Sequence, residues 1–253
     1  MSLILALETA TPVCSVALAR NGEILALRES TTPNAHSSVL TVFIEDLFRE
    51  ASLQFADLDA ISVGMGPGSY TGLRIGVAAA KGLCFALDKP LIAVPTLEAM
   101  AAGINYEFKN SSENQGSGIR DQNPKPKTQN PKPETLFCPM IDARRMEVYC
   151  SVFDESLKVI RPTEAVVVEE NSFDALLSEH RVLFAGTGAE KCRDILSDKP
   201  NAFFLENFQA SSIFIIPLAE KRFHENRFEN LAYFEPYYLK DFIAGKPRVK
   251  GLR

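Results

Sequence analysis

The chain has 253 residues, 46% of them hydrophobic and 23% charged, so it is long enough to bury the core of one large domain or of two lobes. Its formal net charge of −5 argues against a protein that binds nucleic acid over a broad basic face. The first apolar run ends at Glu8, and no apolar run reaches the roughly 18 residues of a membrane helix. The five cysteines are odd in number and form no CxxC pair, which predicts reduced, buried thiols. We therefore expect a soluble, cytoplasmic protein without membrane association.

The first lobe is predicted over residues 1–105. Its elements are, in chain order, strands 3–7, 14–20 and 23–28, helix 37–51, strand 60–63, helix 72–87, strand 91–94 and helix 96–102. Asn21-Gly22 supplies two residues with positive φ for a type I′ turn, so the first three strands form an antiparallel meander. Three such strands followed by alternating helices and strands are typical of the ribonuclease-H-like unit that is repeated in the actin/hexokinase-like α/β fold.

The composition changes abruptly between residues 106 and 134. Two seven-residue repeats, QNPKPKT and QNPKPET, begin at Gln122 and Gln129, and the segment has few apolar residues. Closely spaced prolines sustain neither a helix nor a sheet, so the sequence predicts a disordered insertion at 106–134. A recognition motif for a proline-binding groove is the alternative interpretation of the same repeats.

A smaller, reduced second lobe is predicted over residues 135–240, followed by a basic tail at 241–253. The predicted elements are strands 136–142, 147–153, 166–168 and 182–185, helices 173–177, 189–196 and 213–223, and a last strand at 236–239. The tail is either a solvated end of the chain or a contact for RNA, and the sequence leaves both interpretations open.

The loop at residues 64–72, GMGPGSYTG, joins a predicted strand to a predicted helix. Its backbone amides would face an anion at the helix N-terminus, or its glycines would simply let two backbones pack closely. The stretch after the first strand occupies the place where actin-like ATPases hold an acid and a phosphate-binding turn. The candidate nucleotide or phosphate contacts are Glu8, Thr9, Gly66, Gly68, Ser69 and Arg74.

The histidines do not form a metal-binding pair in the sequence. His36, His180 and His224 are far apart, so neither HExxH nor HxxxH occurs. No assembled catalytic set emerges from the residues alone.

Several segments in both lobes resemble the TsaB (YeaZ) family. The segments are ILALETATPVCSVAL, DAISVGMGPGSYTGLRIGVAAAKGL, PLIAVPTLEAMA, MIDARRMEVY and EPYYL. Within them GPGSYTGLRIG is the most specific motif, and the insertion at 106–134 departs from the family pattern.

The resemblance implies a non-catalytic scaffold subunit needed to form N6-threonylcarbamoyladenosine at position 37 of tRNA. TsaB proteins are paralogues of the catalytic subunit TsaD, pair with it and act with the ATPase TsaE. The two histidines with which TsaD holds its metal correspond here to Thr96 and Met100, whose hydroxyl and thioether do not replace imidazole ligands. The resemblance also implies a homodimer when the chain is alone, tRNA contact only through the complex, and no cofactor in the isolated chain. An adenine nucleotide would lie at the partner interface.

The resemblance places the TsaD contact on the first-lobe helices 37–51 and 72–87, which both carry more apolar residues than a single core-facing stripe needs. Helix 37–51 carries a wide apolar face, and the residues predicted to contact the partner are Val39, Leu40, Phe43, Ile44 and Leu47. Alternatively, all of these side chains lie in the interior. Three other functions stay open: a metal-dependent glycoprotease-type peptidase, a small-molecule kinase of the same fold, and a homodimeric structural protein.

Overall fold

The computed structural model describes residues 1–33, 35–113 and 134–240. The first lobe contains β1 (Leu3–Glu8), β2 (Cys14–Arg20), β3 (Glu23–Ser30), α1 (His36–Ala51), β4 (Ala60–Gly64), α2 (Tyr70–Leu87), β5 (Leu91–Val94) and α3 (Thr96–Glu113). The second contains β6 (Thr135–Asp142), β7 (Glu147–Phe153), β8 (Val159–Val167), α4 (Asp174–Glu179), β9 (Arg181–Ala185), α5 (Thr187–Leu196) and β10 (Ala202–Leu205). A 3₁₀ turn at Ser212–Phe214 and α6 (Ile215–His224) follow.

The two lobes repeat one sheet topology. The first sheet has the order β3-β2-β1-β4-β5 and the second has the order β8-β7-β6-β9-β10. In each, the first three strands are antiparallel and the last two are parallel to the first. This duplication confirms the predicted actin/hexokinase-like fold. The second lobe is reduced in its helices and not in its sheet, because α4 and α5 have 6 and 10 residues where α1 and α2 have 16 and 18.

β1 lies at the centre of the first sheet, and both of its faces are covered. Leu5 and Leu7 point to the face that α1 and α2 cover, whereas Ile4 and Ala6 point to the face covered by α3 and α6. All six residues of β1 are buried, as expected for a strand with helices on both sides. The apolar run at residues 3–7 of this strand therefore reflects its central position.

The hairpin between β2 and β3 has the predicted turn. Asn21 and Gly22 have φ values of 50° and 83°, and Arg20 pairs with Glu23 across the turn. The Gly22 amide donates to Glu220 Oε1 of α6 at 2.9 Å, and the Ser2 hydroxyl donates to the same oxygen at 2.7 Å. A helix near the C-terminus thus holds the hairpin near the N-terminus.

The C-terminal part of the chain was predicted to belong to the second lobe, but it packs on the first. After β10 the chain returns to the first sheet, where α6 packs across β1, β4 and β5. Ile215, Ile216 and Ala219 are fully buried there, because the face of the first sheet that carries Ile4 and Ala6 needs an apolar cover.

The strand predicted at 236–239 is not formed. Residues 234–240 are irregular, and the Tyr237 amide donates to the carbonyl oxygen of Met65 at 2.8 Å. Pro236 has no amide to donate, so a regular ladder would be interrupted at this residue.

The predicted insertion begins later than residue 106. α3 continues to Glu113, and the Phe108 ring packs edge-on against Phe137 of β6 with their centroids 5.8 Å apart. The Asn105 side chain also donates to the carbonyl oxygen of Glu155 at 3.0 Å. These contacts with the second lobe support the extra helical turns. Residues 114–133 of the predicted insertion and the predicted tail at 241–253 lie outside the described residues.

Two further predictions concern the thiols and the membrane. All five cysteines are buried and unpaired, which confirms the prediction from their spacing. Among the helices within residues 1–33, 35–113 and 134–240, none is both long and apolar enough to cross a membrane.

Candidate functional site

The loop after β1 begins with a buried carboxyl group. Glu8 is 1% exposed, and its Oε1 accepts a hydrogen bond from the Ala10 amide at 2.7 Å. Its Oε2 has no hydrogen-bond partner in the described part of the chain. Burial raises the pKa of Glu8 from 4.5 to about 7, although hydrogen bonds from the Ala10 and Thr9 backbones and the Thr96 side chain act in the opposite direction. The group is therefore close to half protonated at neutral pH.

Gly64, the last residue of β4, closes the space around this carboxyl group. A Cβ atom at Gly64 would overlap Glu8 Oε2, so the two strands leave no gap between them. Such a carboxyl group would be a competent proton acceptor or donor in an open cleft. In this structure it is sealed inside the lobe.

The glycine loop is fastened to the turn after β1. The Ser69 amide donates to the Ala10 carbonyl oxygen at 2.7 Å, and the Thr9 hydroxyl donates to the Gly72 carbonyl oxygen at 2.8 Å. A Cβ atom at Gly72 would lie far inside the van der Waals distance of the Thr9 carbonyl oxygen. Gly66 has a φ of 107°, in the region that favours glycine. These contacts favour the structural interpretation of the glycine loop.

The structure brings the predicted phosphate contacts together at the ends of β1 and β4. Buried positions are occupied by Glu8, Thr9 and Gly66, whereas Gly68 is half-buried and Ser69 and Arg74 are exposed. The Ser69 hydroxyl caps α2 by accepting from the Gly72 amide at 3.3 Å, and Arg74 Nη1 donates to the Tyr70 hydroxyl at 3.0 Å. Ser69 and Arg74 are thus the accessible members of the set, and nucleotide contact stays a prediction.

Thr96 and Met100 take part in the packing of α3. Thr96 begins α3, and its hydroxyl accepts a hydrogen bond from the Gly66 amide at 3.1 Å. Met100 lies one turn later, 2% exposed, in the apolar cluster that joins α3 to the second sheet. Its methyl group packs on Gly186, where a Cβ atom would collide with it. Within the described residues, no group of three or more histidines, cysteines and carboxylates is placed to hold a metal ion.

Most of the predicted partner contacts on α1 are core residues. Leu40, Ile44 and Leu47 are at most 4% exposed and pack on the first sheet. Val39 and Phe43 are half-buried against the same cluster. The prediction is therefore wrong for Leu40, Ile44 and Leu47. These side chains pack against the first sheet, so they are not available to a partner.

The solvent-exposed apolar residues lie on the opposite sides of α1 and α2. Val42 of α1 is 50% exposed and Phe85 of α2 is 83% exposed. Ala78 and Gly82 are exposed between Phe85 and the start of α2, and no atom lies within 4 Å of a Cβ placed on Gly82. We call Val42, Ala78, Gly82 and Phe85 the outer helical face. The outer helical face could have been found in the sequence. Ala78, Gly82 and Phe85 recur at helical spacing and so share one side of α2, and only one side of this helix can face the sheet.

A family model described as TsaD, tRNA N6-adenosine threonylcarbamoyltransferase, matches residues 7–114. This range begins at Leu7, near the end of β1, and runs through α3, so it contains the glycine loop and both helices of the outer helical face.

Known relatives match over a larger part of the chain. The tRNA threonylcarbamoyladenosine biosynthesis protein TsaB of Escherichia coli K12 is 30% identical over 251 residues, which cover 96% of each chain. The TsaB protein of Haemophilus influenzae is 39% identical over 98 residues, or 39% of this chain and 41% of that one. The solved structure of YeaZ from Pseudomonas aeruginosa superposes with a TM-score of 0.71 at 26% identity, over 94% of this chain and all of that one. The extent and identity of these matches show that the chain belongs to the TsaB (YeaZ) family.

Proposed function

We propose that this chain is an accessory subunit in the formation of N6-threonylcarbamoyladenosine in tRNA, and that it binds a TsaD-like catalytic subunit through the outer helical face. Family membership supports the pathway, since the curated relatives are named for threonylcarbamoyladenosine biosynthesis. The exposure of the outer helical face supports the docking surface. In this proposal the chain supplies a binding surface, and the partner performs the transfer.

The observation that carries the proposal is the pair of large apolar side chains on neighbouring helices. α1 and α2 contact one another, and each exposes an apolar residue away from the sheet: Val42 and Phe85. Fully burying an exposed side chain of this kind contributes roughly 1.5–3 kcal/mol, and Val42, already half buried, would contribute about half of that. Ala78 and Gly82 have almost no side chain, so a helix of the partner can approach the α2 backbone closely.

The residues of the candidate site suit an accessory role. Thr96 and Met100 serve the packing of α3, and Glu8 is sealed beneath Gly64. Ser69 and Arg74 are exposed near the start of α2, the helix that we assign to the interface. In this proposal an adenine nucleotide binds between these two residues and the partner. A TsaE-like ATPase and tRNA bind to the assembled complex. When the chain is alone, it forms a homodimer through the outer helical face.

The test is co-purification with the TsaD-like protein of the same organism, followed by a tRNA modification assay with and without this chain. Modified nucleosides are measured by mass spectrometry after digestion of the tRNA. Val42→Glu places a charge on the outer helical face, and we expect it to weaken partner binding more than about tenfold while the circular dichroism spectrum stays unchanged. Modification of tRNA should fall in parallel.

Val159→Glu is the matched control. Val159 lies on β8 of the second lobe and is 51% exposed, against 50% for Val42, so the two substitutions add the same charge at equal exposure. We expect Val159→Glu to retain partner binding. Equal retention or equal loss of binding in the two variants would refute the docking surface. A TsaD-like subunit that modifies tRNA at full rate without this chain would refute the proposed function itself.

A further inference from the structure

The outer helical face is too small to be a complete protein interface. It has two large side chains, Val42 and Phe85, and two residues with almost no side chain. A stable interface takes roughly 800 Å² and about 20–30 residues from each partner, so the contact extends onto neighbouring surface. Asp88 and Lys89 follow the C-terminal end of α2, and both residue types are depleted at interfaces. We therefore expect the contact to continue along the N-terminal half of α2.

The exposed side of α2 continues from Phe85 to the first turn of the helix. Arg74 is exposed and lies one turn before Ala78 on the same side, and Tyr70 lies one turn before Arg74. Arg74 Nη1 donates to the Tyr70 hydroxyl at 3.0 Å, and its guanidinium carbon lies 5.4 Å from the centre of the Tyr70 ring. The helix rises by roughly 22 Å from Tyr70 to Phe85, which is comparable with the width of a standard interface.

Residues 234–240, the C-terminal segment, add a second tyrosine at this end of α2. The Tyr238 ring lies on the Tyr70 ring, with centroids 4.9 Å apart and ring planes inclined by 36°. Tyr238 is 36% exposed, so the ring pair presents aromatic surface to the solvent close to Arg74. The exposed side of α2 therefore continues onto the C-terminal segment.

The backbone of residues 234–240 is fastened to α2 and to the glycine loop. Lys81 Nζ of α2 donates to the Phe234 carbonyl oxygen at 2.9 Å, and the Phe234 side chain is buried in the first-lobe core. The Tyr237 carbonyl oxygen lies so close to Gly66 that a Cβ atom on Gly66 would be 2.8 Å from it. The ring pair is therefore held in place in the free chain, and a pre-organised aromatic surface loses little conformational entropy on binding.

The charges near the ring pair favour a protein partner over RNA. Arg74 lowers the pKa of Tyr238 and Glu235 raises it, so a cation and an anion both lie near this ring. Further along the segment, Lys240 forms an ion pair with Glu147. These four charges sum to zero, whereas a surface that binds the RNA backbone carries an excess of cations. Tyrosine and arginine are enriched among the residues that contribute most to protein interfaces.

We propose that Tyr238, Tyr70 and Arg74 form a second part of the surface that binds the TsaD-like partner, contiguous with the outer helical face along α2. The partner places an apolar side chain on the Tyr238 ring and a carboxylate against Arg74. Among the described residues Arg74 forms no ion pair, so its guanidinium is open to such a carboxylate. This inference rests on the proposed function and extends its docking surface to the C-terminal segment.

The test measures the affinity of the full-length chain for the TsaD-like protein of the same organism. The buffer contains no nucleotide, because Arg74 is also a predicted nucleotide contact. Tyr238→Ala should weaken binding at least about tenfold, whereas Tyr238→Phe keeps the ring and should bind within about twofold of the native chain. Arg74→Met should weaken binding about tenfold through the loss of a charge-assisted pair. Tyr106→Ala is the matched control, since Tyr106 is 60% exposed on α3 at the opposite face of the first sheet.

Circular dichroism shows whether each variant is folded, and Arg74→Met decides the question if Tyr238→Ala is not. Full binding by the folded Tyr238→Ala or by Arg74→Met, or equal losses from Tyr238→Ala and Tyr106→Ala, would overturn the inference. A loss from Val42→Glu alone would remove only the C-terminal segment from the interface and leave the proposed function in place. Native partner affinity combined with weaker tRNA binding by the Tyr238→Ala complex would make this surface an RNA contact and also overturn the inference.

Discussion

Replacement of Glu8 by glutamine should remove a large part of the pH dependence of folding. The pKa of Glu8 is raised from 4.5 to about 7 in the folded chain, so the folded state holds a proton that the unfolded state releases between these values. Stability from this group is fully present below pH 4.5 and is lost as the pH rises through 7. Between pH 5 and pH 8 the loss amounts to roughly 2–3 kcal/mol, at about 1.4 kcal/mol per pH unit over which the proton numbers differ. Glutamine has a similar shape and does not ionise.

The measurement is urea denaturation of the native chain and Glu8→Gln at pH 5 and pH 8, at low protein concentration because the sequence pI is about 5.4. The informative quantity is the stability of the variant minus that of the native chain, since any fixed cost of the new amide cancels between the two pH values. We expect this difference to rise by roughly 2–3 kcal/mol from pH 5 to pH 8. Glu45→Gln on the exposed side of α1 is the control for background effects. A difference that stays constant with pH would refute the assignment of a buried, neutral-pH carboxyl group.

Two further predictions compare pairs of substitutions by their free energy of unfolding. Gly72→Ala should destabilise the fold by roughly 1–3 kcal/mol or more, because its Cβ would collide with the Thr9 backbone, whereas Gly82→Ala should stabilise α2 by about 0.5–1 kcal/mol. A larger loss from Gly82→Ala than from Gly72→Ala would contradict the packing of the glycine loop. Leu47→Ala should cost about 2–5 kcal/mol and Val42→Ala less than about 1 kcal/mol, since Leu47 is fully buried and Val42 is half exposed. Equal losses would mean that α1 buries both of its sides.

Local patterns in the sequence predicted most elements of the fold, but not their partners. The Asn21-Gly22 turn and the alternation of strands and helices depend on neighbouring residues, and both predictions are confirmed. The helix at 213–223 was predicted from its own amphipathic spacing, which shows that one face is buried but not which sheet covers it. The structure resolves this ambiguity in favour of the first sheet. Phe108 was missed for the same reason, because its partner Phe137 is distant in the sequence.

The candidate site shows the same limit at the level of single residues. The spacing of Leu40, Ile44 and Leu47 marks the stripe of α1 that is apolar, and a core stripe and an interface stripe have the same composition. Only the position of the sheet distinguishes a core stripe from an interface stripe.

The return of α6 to the first sheet makes the order of synthesis differ from the order of assembly. β1 is synthesised long before α6, but the face that carries Ile4 and Ala6 is covered in part by Ile215 and Ala219 of that helix. A nascent first lobe therefore presents this apolar face without the cover of α6 until that helix has been synthesised. Cutting the chain between the two sheets would leave the same surface without its cover, so the two lobes are units of architecture and not independent units of folding.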